Sequence, residues 1–297
     1  MIRVFCAIDK NHKEYSTLYR ENFEMRNINK HVFSARRRPD KVHYRIVRCN
    51  KCGLVYSNPI LPYGKIKKLY KKSLFTYSQQ TSNIIETYYT YLKKALPFLK
   101  SRESFLEIGC GNGFLLKKVK DHGFKEVYGI EPSKDAVQKS DKKIRINIIN
   151  DIFKPGIFQK NKFDMIAFFQ VFDHVFDPNQ FLKECHRILK PGGIALAINH
   201  DVDSFMPRLF REKCPIFDIE HIYLFNKKTM QLIFKKHGFK VLEVFGVKNT
   251  FALNYALSFL PVPILLKKPI MNLAKHLGIS AMKIRLKPGN LGIIAKK

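Results

Sequence analysis

The chain has 297 residues, enough for one large domain with a small appendage or for two domains. A hydrophobic content of 45% excludes a disordered chain, and six cysteines at this length exclude a secreted disulfide scaffold. Fifty-four Lys and Arg against 24 Asp and Glu give a formal net charge of +30, which points to nucleic acid, an anionic membrane or an acidic substrate, or to lysines spread over every solvated face.

The N-terminal MIRVFCAIDK lacks the apolar core of a secretory leader, so a cytoplasmic protein is expected. Residues 1–60 form a first module, mixing Cys, His, Arg and β-branched residues and ending in the turn-rich SNPILPYG. Inside it, RCNKCGLVYSNP (48–59) sets Cys49 and Cys52 in a C-x-x-C turn, which offers two thiolates to a metal. Residues 61–100 read as a helical linker or lid, with Ile66, Leu69 and Tyr70, then Tyr88, Tyr91, Leu92 and Ala95, at helical spacing.

From 101 to 297 the pattern becomes short apolar strands alternating with amphipathic helices. Strands are predicted at 104–109, 126–131, 146–151, 163–169 and 193–199, and helices at 113–122, 133–140 and 178–189, the last stopped by a KPGG turn at 190–193. Two further strands, 240–247 and 291–296, complete a seven-stranded set. This alternation predicts an α/β fold with a doubly wound, mostly parallel sheet. Residues 249–288 interrupt it as a hydrophobic insertion. Its uncharged NTFALNYALSFLPVPILL (249–266) nearly reaches the length of a membrane span, but two asparagines and the Pro261/Pro263 pair argue against a clean span. An interfacial element followed by a basic amphipathic stretch, or a lid packed on the core, fits better.

Ligands in such sheets bind beyond the carboxyl ends of the strands. The first strand runs there into FLEIGCGNGF, where Gly109, Gly111 and Gly113 alternate. A dinucleotide fingerprint needs glycine at 114, where this chain has Phe114, and no G-K-[ST] of a P-loop follows. The loop therefore allows close backbone approach without a pyrophosphate cradle. Glu131 ends the second strand, suited to both hydroxyls of a ribose. Asp151 ends the third, suited to an exocyclic amine, with Ile152 and Phe153 beside it to cover a base. Either acid alone fits a helix N-cap or a solvated strand end; together with the loop they outline a nucleoside site.

LEIGCGNG, GIEPS, NDIF, FDMIAFFQVFDHVFDP and LKPGGIALAI together resemble the class I S-adenosylmethionine-dependent methyltransferases, in register over about 101–247 and again at the last strand. The resemblance implies S-adenosylmethionine as cofactor, with Gly109, Cys110 and Gly111 under its methionine part. Glu131 would bind the ribose, Asp151 and Ile152 the adenine, and Gln170 would lie beside the sulfonium. Glu107, Gly113 and Pro132 complete the implied cofactor-binding set. It further implies that Gly111→Val blocks the cofactor while leaving the fold largely intact. Asp173–His174, after the fourth strand, lies where substrate-side groups are expected, and His174 is the first candidate base, or else a packing histidine.

Residues 200–239 are similar to the post-core segment of bacterial and archaeal methyltransferases that carry a small N-terminal metal-binding module. There His221 and Tyr223 match a cleft-facing histidine and aromatic, making His221 the second candidate, while Cys214 stands where many members carry tryptophan. The same likeness implies a zinc-ribbon-like module in 1–60 whose upstream half reads Cys6-Ala-Ile-Asp9. Cys6, Asp9, Cys49 and Cys52 would then hold a structural zinc, with His12, His31 and His43 as alternative fourth ligands, or the ribbon has lost its metal. The expected activity is methyl transfer to O or C of a small-molecule, glycoconjugate or lipid-linked acceptor, with peripheral contact to an anionic membrane at the inner face. A nucleic-acid methyltransferase would suit the charge, but base amino-methylation usually uses [ND]-P-P-[YF] where this chain has QVFDH. A non-catalytic binding protein on the same scaffold is the third reading.

Overall fold

The computed structural model of the chain describes residues 1–9, 14–24, 42–71, 81–258 and 264–297. His12 and His31 lie outside these. In chain order the elements are β1 (Tyr15–Tyr19), β2 (Ile46–Cys49), β3 (Val55–Ser57), α1 (Tyr63–Lys71), α2 (Thr81–Ala95), β4 (Ser104–Ile108), α3 (Phe114–Asp121) and β5 (Glu126–Ile130). There follow α4 (Lys134–Gln138), α5 (Lys142–Arg145), β6 (Ile148–Ile149), β7 (Phe163–Phe169), α6 (Pro178–Ile188), β8 (Leu189–His200), α7 (Phe205–Phe210) and β9 (Tyr223–Leu224). The chain ends with α8 (Lys227–Lys236), β10 (Lys240–Ala252), α9 (Leu253–Ser258), α10 (Ile264–His276) and β11 (Lys283–Lys296).

A seven-stranded sheet has the order β10-β11-β8-β7-β4-β5-β6, with β4 to β8 parallel and β11 antiparallel to both its neighbours. Every residue of β4 and β7 is buried, as expected of strands covered on both faces. Strand alternation sorts their side chains. Leu106, Ile166, Phe168 and Ala195 join one hydrophobic cluster, while Phe105, Met165, Ala167 and Ile194 join the other. Helix starts follow capping chemistry. Asp177 accepts from the Asn179 and Gln180 amides, both at 3.0 Å, ahead of α6, and Asn226 and Thr229 form a capping box on α8.

The chain departs from the sequence-based expectation in four places. KPGG is not a loop but a bulge inside β8, between the pairs Phe163↔Leu189 and Met165↔Ile194, with Lys190 Nζ donating to Asp164 at 2.8 Å. The third strand shrinks to β6, with α5 ending just before its predicted start and the Asp151 amide turning back to Ile149 O just beyond its end. β10 and β11 extend the predicted strands at both register-matched ends, so the insertion narrows to 253–282. The added KIRLK half alternates charge with aliphatics, the mark of a half-exposed strand. Finally, β1, β2 and β3 form an antiparallel sheet that is completed by β9 of the post-core segment. The first module thus shares its sheet with residues 223–224, and Tyr44, Val47 and Leu54 belong to the same core cluster as the large sheet.

Gly292 in β11 sits under the Phe245 ring, which a Cβ would approach to 2.2 Å, and that ring is held in a stack on Tyr91 at 5.1 Å. Gly292→Ala is expected to destabilise the fold by about 1–3 kcal/mol through overpacking. A urea midpoint equal to that of the wild type would contradict this.

Candidate functional site

β4 and β7 are adjacent, yet the chain leaves them in opposite directions across the sheet. This is the switch point at which α/β sheets open a crevice. A cavity of about 980 Å³ lies there. Its first end is the glycine loop. The Gly109 and Cys110 amides donate to the Ile130 carbonyl at 2.8 and 3.1 Å, and the Gly113 amide donates to Cys110 O at 2.9 Å. The Gly111 amide donates to Glu131 Oε2 at 2.9 Å. These amides are already engaged, so the loop offers no nest for phosphate. Gly109 has φ +74°, and a Cβ on it would meet Val171 Cγ2 at 2.4 Å, so only glycine lets the β4 and β7 ends approach this closely.

Of the sequence-predicted cofactor residues, Glu107, Gly109, Cys110 and Gly111 line the cavity, as do Glu131, Pro132, Ile152 and Gln170. Glu131 is fixed by the Gly111 amide and by the Ser133 amide at 2.8 Å, while burial pushes its pKa up against these bonds. Glu107 is buried and its pKa is raised well above the usual range, first by burial and then by Glu131. Its Oε2 and the Oε1 of Gln170 are buried without a hydrogen-bond partner among the described residues. Gln170 holds φ +54°, a strained backbone for a non-glycine residue at the end of β7.

Two of that set lie elsewhere. Gly113 caps α3 with φ +72°, and a Cβ there would meet Ile144 and Ile148 at 2.9 and 3.0 Å, so its smallness serves packing of α3 on α5 and β6. Asp151 does not line the cavity, because β6 ends two residues earlier and the Asp151 amide turns back to Ile149 O. Its carboxylate pairs with Lys154 at 2.6 Å and faces Lys71 at 3.6 Å, and the Lys154 hydrogen bond leads its pKa down to about 2. Cys110 packs over Gly129, and burial pushes its thiol pKa up, which leaves it inert. Gly111 itself has φ +55°, so Gly111→Val would strain the fold as well as the site.

The second end of the cavity is lined by His174, His200 and His221. Their rings surround Asp173, which is 1% exposed. Asp173 Oδ2 lies 2.7 Å from His200 Nδ1 and 3.9 Å from His221 Nε2, and Oδ1 lies 3.6 Å from His174 Nε2. Burial raises the Asp173 pKa, but the three imidazoles more than reverse this and hold it well below the usual range. His174 shares a 2.9 Å hydrogen bond between its Nδ1 and Tyr70 Oη, and burial drives its pKa down. His221 Nδ1 lies 2.7 Å from the Ile216 carbonyl, which fixes Nδ1–H and leaves Nε2 as an acceptor. Burial, with His200 and His174, lowers its pKa to about 3. The predicted cleft partner Tyr223 instead stacks on Tyr56 at 6.2 Å, within the small sheet. The sequence reading missed His200, although its place at the end of β8 is the signal that selected Glu131. It also missed the helical wall: Tyr70 of α1 lines the cavity, and Tyr88 of α2 stacks on Phe169 at 4.4 Å.

Near the N-terminus the Sγ atoms of Cys6, Cys49 and Cys52 lie within 4.8 Å of one another. Cys6 and Cys52 are 3.4 Å apart, and Asp9 Oδ2 lies 3.9 Å from Cys49 Sγ while Oδ1 pairs with Lys51 at 3.0 Å. His43 is not the fourth member: it is fully buried, with Nδ1 on Tyr44 O and Nε2 3.2 Å from Glu212.

The fold and the strand-end loops define a class I methyltransferase domain. The profile of the methyltransferase-domain family matches residues 81–244, more than half of the chain, and the chain belongs to that family. The ubiquinone biosynthesis O-methyltransferase of Cereibacter sphaeroides is 30% identical over 151 residues, 48% of this chain and 60% of the relative. An uncharacterized methyltransferase of Schizosaccharomyces pombe is 33% identical over 134 residues, 40% of this chain and 46% of the relative. The chain therefore spans only about half the length of these curated relatives. Among solved structures, a SAM-dependent methyltransferase from Archaeoglobus fulgidus matches 72% of this chain and 94% of its own, at 19% identity and a TM-score of 0.48.

The buried histidines make the fold acid-sensitive. His221 stays neutral in the folded state down to about pH 3, whereas an unfolded histidine takes up its proton near 6.5. The stability that His221 contributes is therefore fully present above about pH 6.5 and is lost progressively as pH falls towards 3, with the depressed Asp173 pKa acting in the same direction at the acid end. His221→Gln should flatten the dependence of the urea midpoint on pH across this window. An unchanged slope would show that His221 does not remain neutral in the fold.

Proposed function

We propose that the chain transfers a methyl group from S-adenosylmethionine to O or C of a small-molecule, glycoconjugate or lipid-linked acceptor. The observation that carries this reading is a single cavity with two chemically distinct ends. One suits a nucleoside without phosphates, and the other gathers three imidazoles around an ionised carboxylate. When bound, S-adenosylmethionine supplies an electrophilic methyl on a sulfonium centre. Glu131 would accept the ribose hydroxyls with its remaining lone pairs, Ile152 would cover the adenine, and the unpartnered Glu107 Oε2 and Gln170 Oε1 would gain donors from the methionine end.

At the acceptor end, Asp173 fixes His200 through Nδ1 and so leaves Nε2 on the opposite edge of a ring that lines the cavity. A carboxylate-oriented imidazole with a free nitrogen is the arrangement of a general base. His221 offers a second acceptor nitrogen, and His174 is held by Tyr70. His200 takes the proton of the attacking hydroxyl or carbon acid, the ionised Asp173 stabilises the resulting imidazolium, and His221, held neutral, accepts a hydrogen bond from the acceptor. The apolar walls, among them Tyr88 and Phe169, position the acceptor for in-line attack and exclude water.

Glu131→Ala should weaken S-adenosylhomocysteine binding by about tenfold to a hundredfold, the loss expected for charge-assisted hydrogen bonds. His200→Asn and His221→Asn should keep that affinity while transfer of labelled methyl to a host extract fraction drops about 10²–10⁴-fold. Retention of transfer within tenfold in both histidine variants would remove these residues from catalysis. Calorimetry without cofactor binding by the wild type would overturn the whole reading.

We also infer that Cys6, Cys49 and Cys52, with Asp9, hold a structural zinc. The closely set thiols of three cysteines are a soft donor set, and a neighbouring carboxylate can close the tetrahedron. Purified protein should carry one zinc per chain. Asp9→Ala should lose it faster to a chelator, and Asp9→Cys more slowly. Identical release rates in all three proteins would exclude Asp9 as a ligand.

A further inference from the structure

From residue 244 to the C-terminus the sequence contains no Asp or Glu, while Lys or Arg stands at 248, 267, 268, 275, 283, 285, 287, 296 and 297. The same segment carries a run of exposed aliphatics. Ile270 and Leu273 of α10, with Leu277 just past its end, repeat at helical spacing and are 42%, 59% and 60% exposed, whereas Ala274 at the edge of that stripe is buried. Ile279, Met282 and Leu286 continue the exposed apolar surface along the turn and into β11. Lys268 and Lys275 are exposed on the other side of α10, and Lys283 and Lys287 are exposed on β11.

We propose that α10 and the outer end of the β10–β11 hairpin are a docking surface for an anionic lipid bilayer. An aliphatic side and a lysine-bearing polar side on one helix are what a helix lying in a headgroup layer requires, since the aliphatic chains enter the acyl boundary while the ammonium groups stay at the level of the lipid phosphates. No helix of the described residues is long and apolar enough to cross a membrane, which leaves a helix that lies on it. Nucleic acid would satisfy the lysines but leave Leu273 and Leu277 in water. A second copy would bring two surfaces of the same charge together. Electrostatics favour the cytoplasmic leaflet, which is the anionic one.

The position of this surface gives it a use. Phe251, Tyr255, Pro288 and Asn290, from the same hairpin and α9, line the cavity. Docking through α10 brings that wall to the bilayer, so an acceptor with a lipid-soluble tail enters without crossing water. The delivery step rests on the methyl-transfer reading; the docking itself does not.

The test is co-sedimentation of the full chain with vesicles of phosphatidylcholine, with and without phosphatidylglycerol. The wild type should bind the phosphatidylglycerol vesicles at least tenfold more tightly than the neutral ones, and less tightly as salt rises. Leu273→Glu/Leu277→Glu should lose at least tenfold of that affinity. Lys268→Ala/Lys275→Ala should lose about fivefold per charge. Both variants should keep the wild-type thermal midpoint and S-adenosylhomocysteine affinity. Indifference of the wild type to phosphatidylglycerol, or undiminished binding by the leucine variant, would overturn the proposal. So would a wild type that ignores vesicles but dimerises through Leu273 and Leu277, or that ignores them and binds RNA. Vesicle binding without S-adenosylhomocysteine binding would refute the methyl-transfer reading and leave the docking surface standing.

Discussion

The buried carboxylate of Asp173 is the point to which the layers of the molecule are tied. Its side chain receives His200 from the end of β8 and faces His221 from the post-core segment. Its backbone carbonyl accepts the Ile222 amide at 2.8 Å, and the Ile222 carbonyl in turn accepts the Ser57 amide at the end of β3. Ser57 Oγ donates to the His221 carbonyl at 2.9 Å, so one chain of bonds runs from the large sheet to the small one. A charge this far from water persists only when its surroundings pair it. His200 does so at 2.7 Å, and together with His174 and His221 it sets the polarity of the cavity at the same time. Fold and site thus share one electrostatic requirement at the switch point.

That requirement explains what could and could not be seen in the sequence. Strands β4 and β7 were legible because both faces are covered, which makes their apolar runs continuous. The glycine loop and Glu131 were legible because a strand end followed by a capped helix fixes where a side chain sits; Ser133 accepts the Ala136 amide at the start of α4. His200 was not, since a lone histidine after an apolar strand looks like a strand terminus, and only the fold brings it to Asp173. Asp151 failed in the opposite way. The strand-end rule placed it along the chain, but β6 ends at Ile149, and Lys154 pairs with its carboxylate while Lys67 and Lys71 of α1 face it. Pairings across long separations, such as β3 with β9, leave no local trace in either partner.

The hydrophobic insertion shows how periodicity can mislead about boundaries. Thr250 N donates to Thr87 Oγ1 and Lys248 N to Tyr91 Oη, so polar contacts from α2 support the outer half of β10 where apolar contacts are few. A sequence reading that requires an apolar run stops at 247. The strand continues because α2 supplies hydrogen-bond acceptors instead. The same helix presents Tyr88 to the cavity and Tyr91 to Phe245, so the tyrosine-rich segment is a wall of the site rather than a linker beside it.

Burial also changes the meaning of the net charge. Glu107, Asp164, Asp173, Glu184, Asp218 and Glu220 are buried, six of the chain's 24 acids, and no Lys or Arg among the described residues is. Several of these acids hold structural partners: Asp164 takes the Ser104 amide and Lys190, and Glu184 holds Arg187 and the Gly156 amide. The solvent-facing surface is therefore more one-signed than composition implies. A field of that kind attracts anionic partners and disfavours self-association. The last acidic side chain is Glu243, so the sequence beyond it carries one sign only, and that segment also supplies Phe251, Tyr255, Pro288 and Asn290 to the cavity wall. The acids that would have balanced the surface stand instead around the strand ends, where they hold the fold and its site in place.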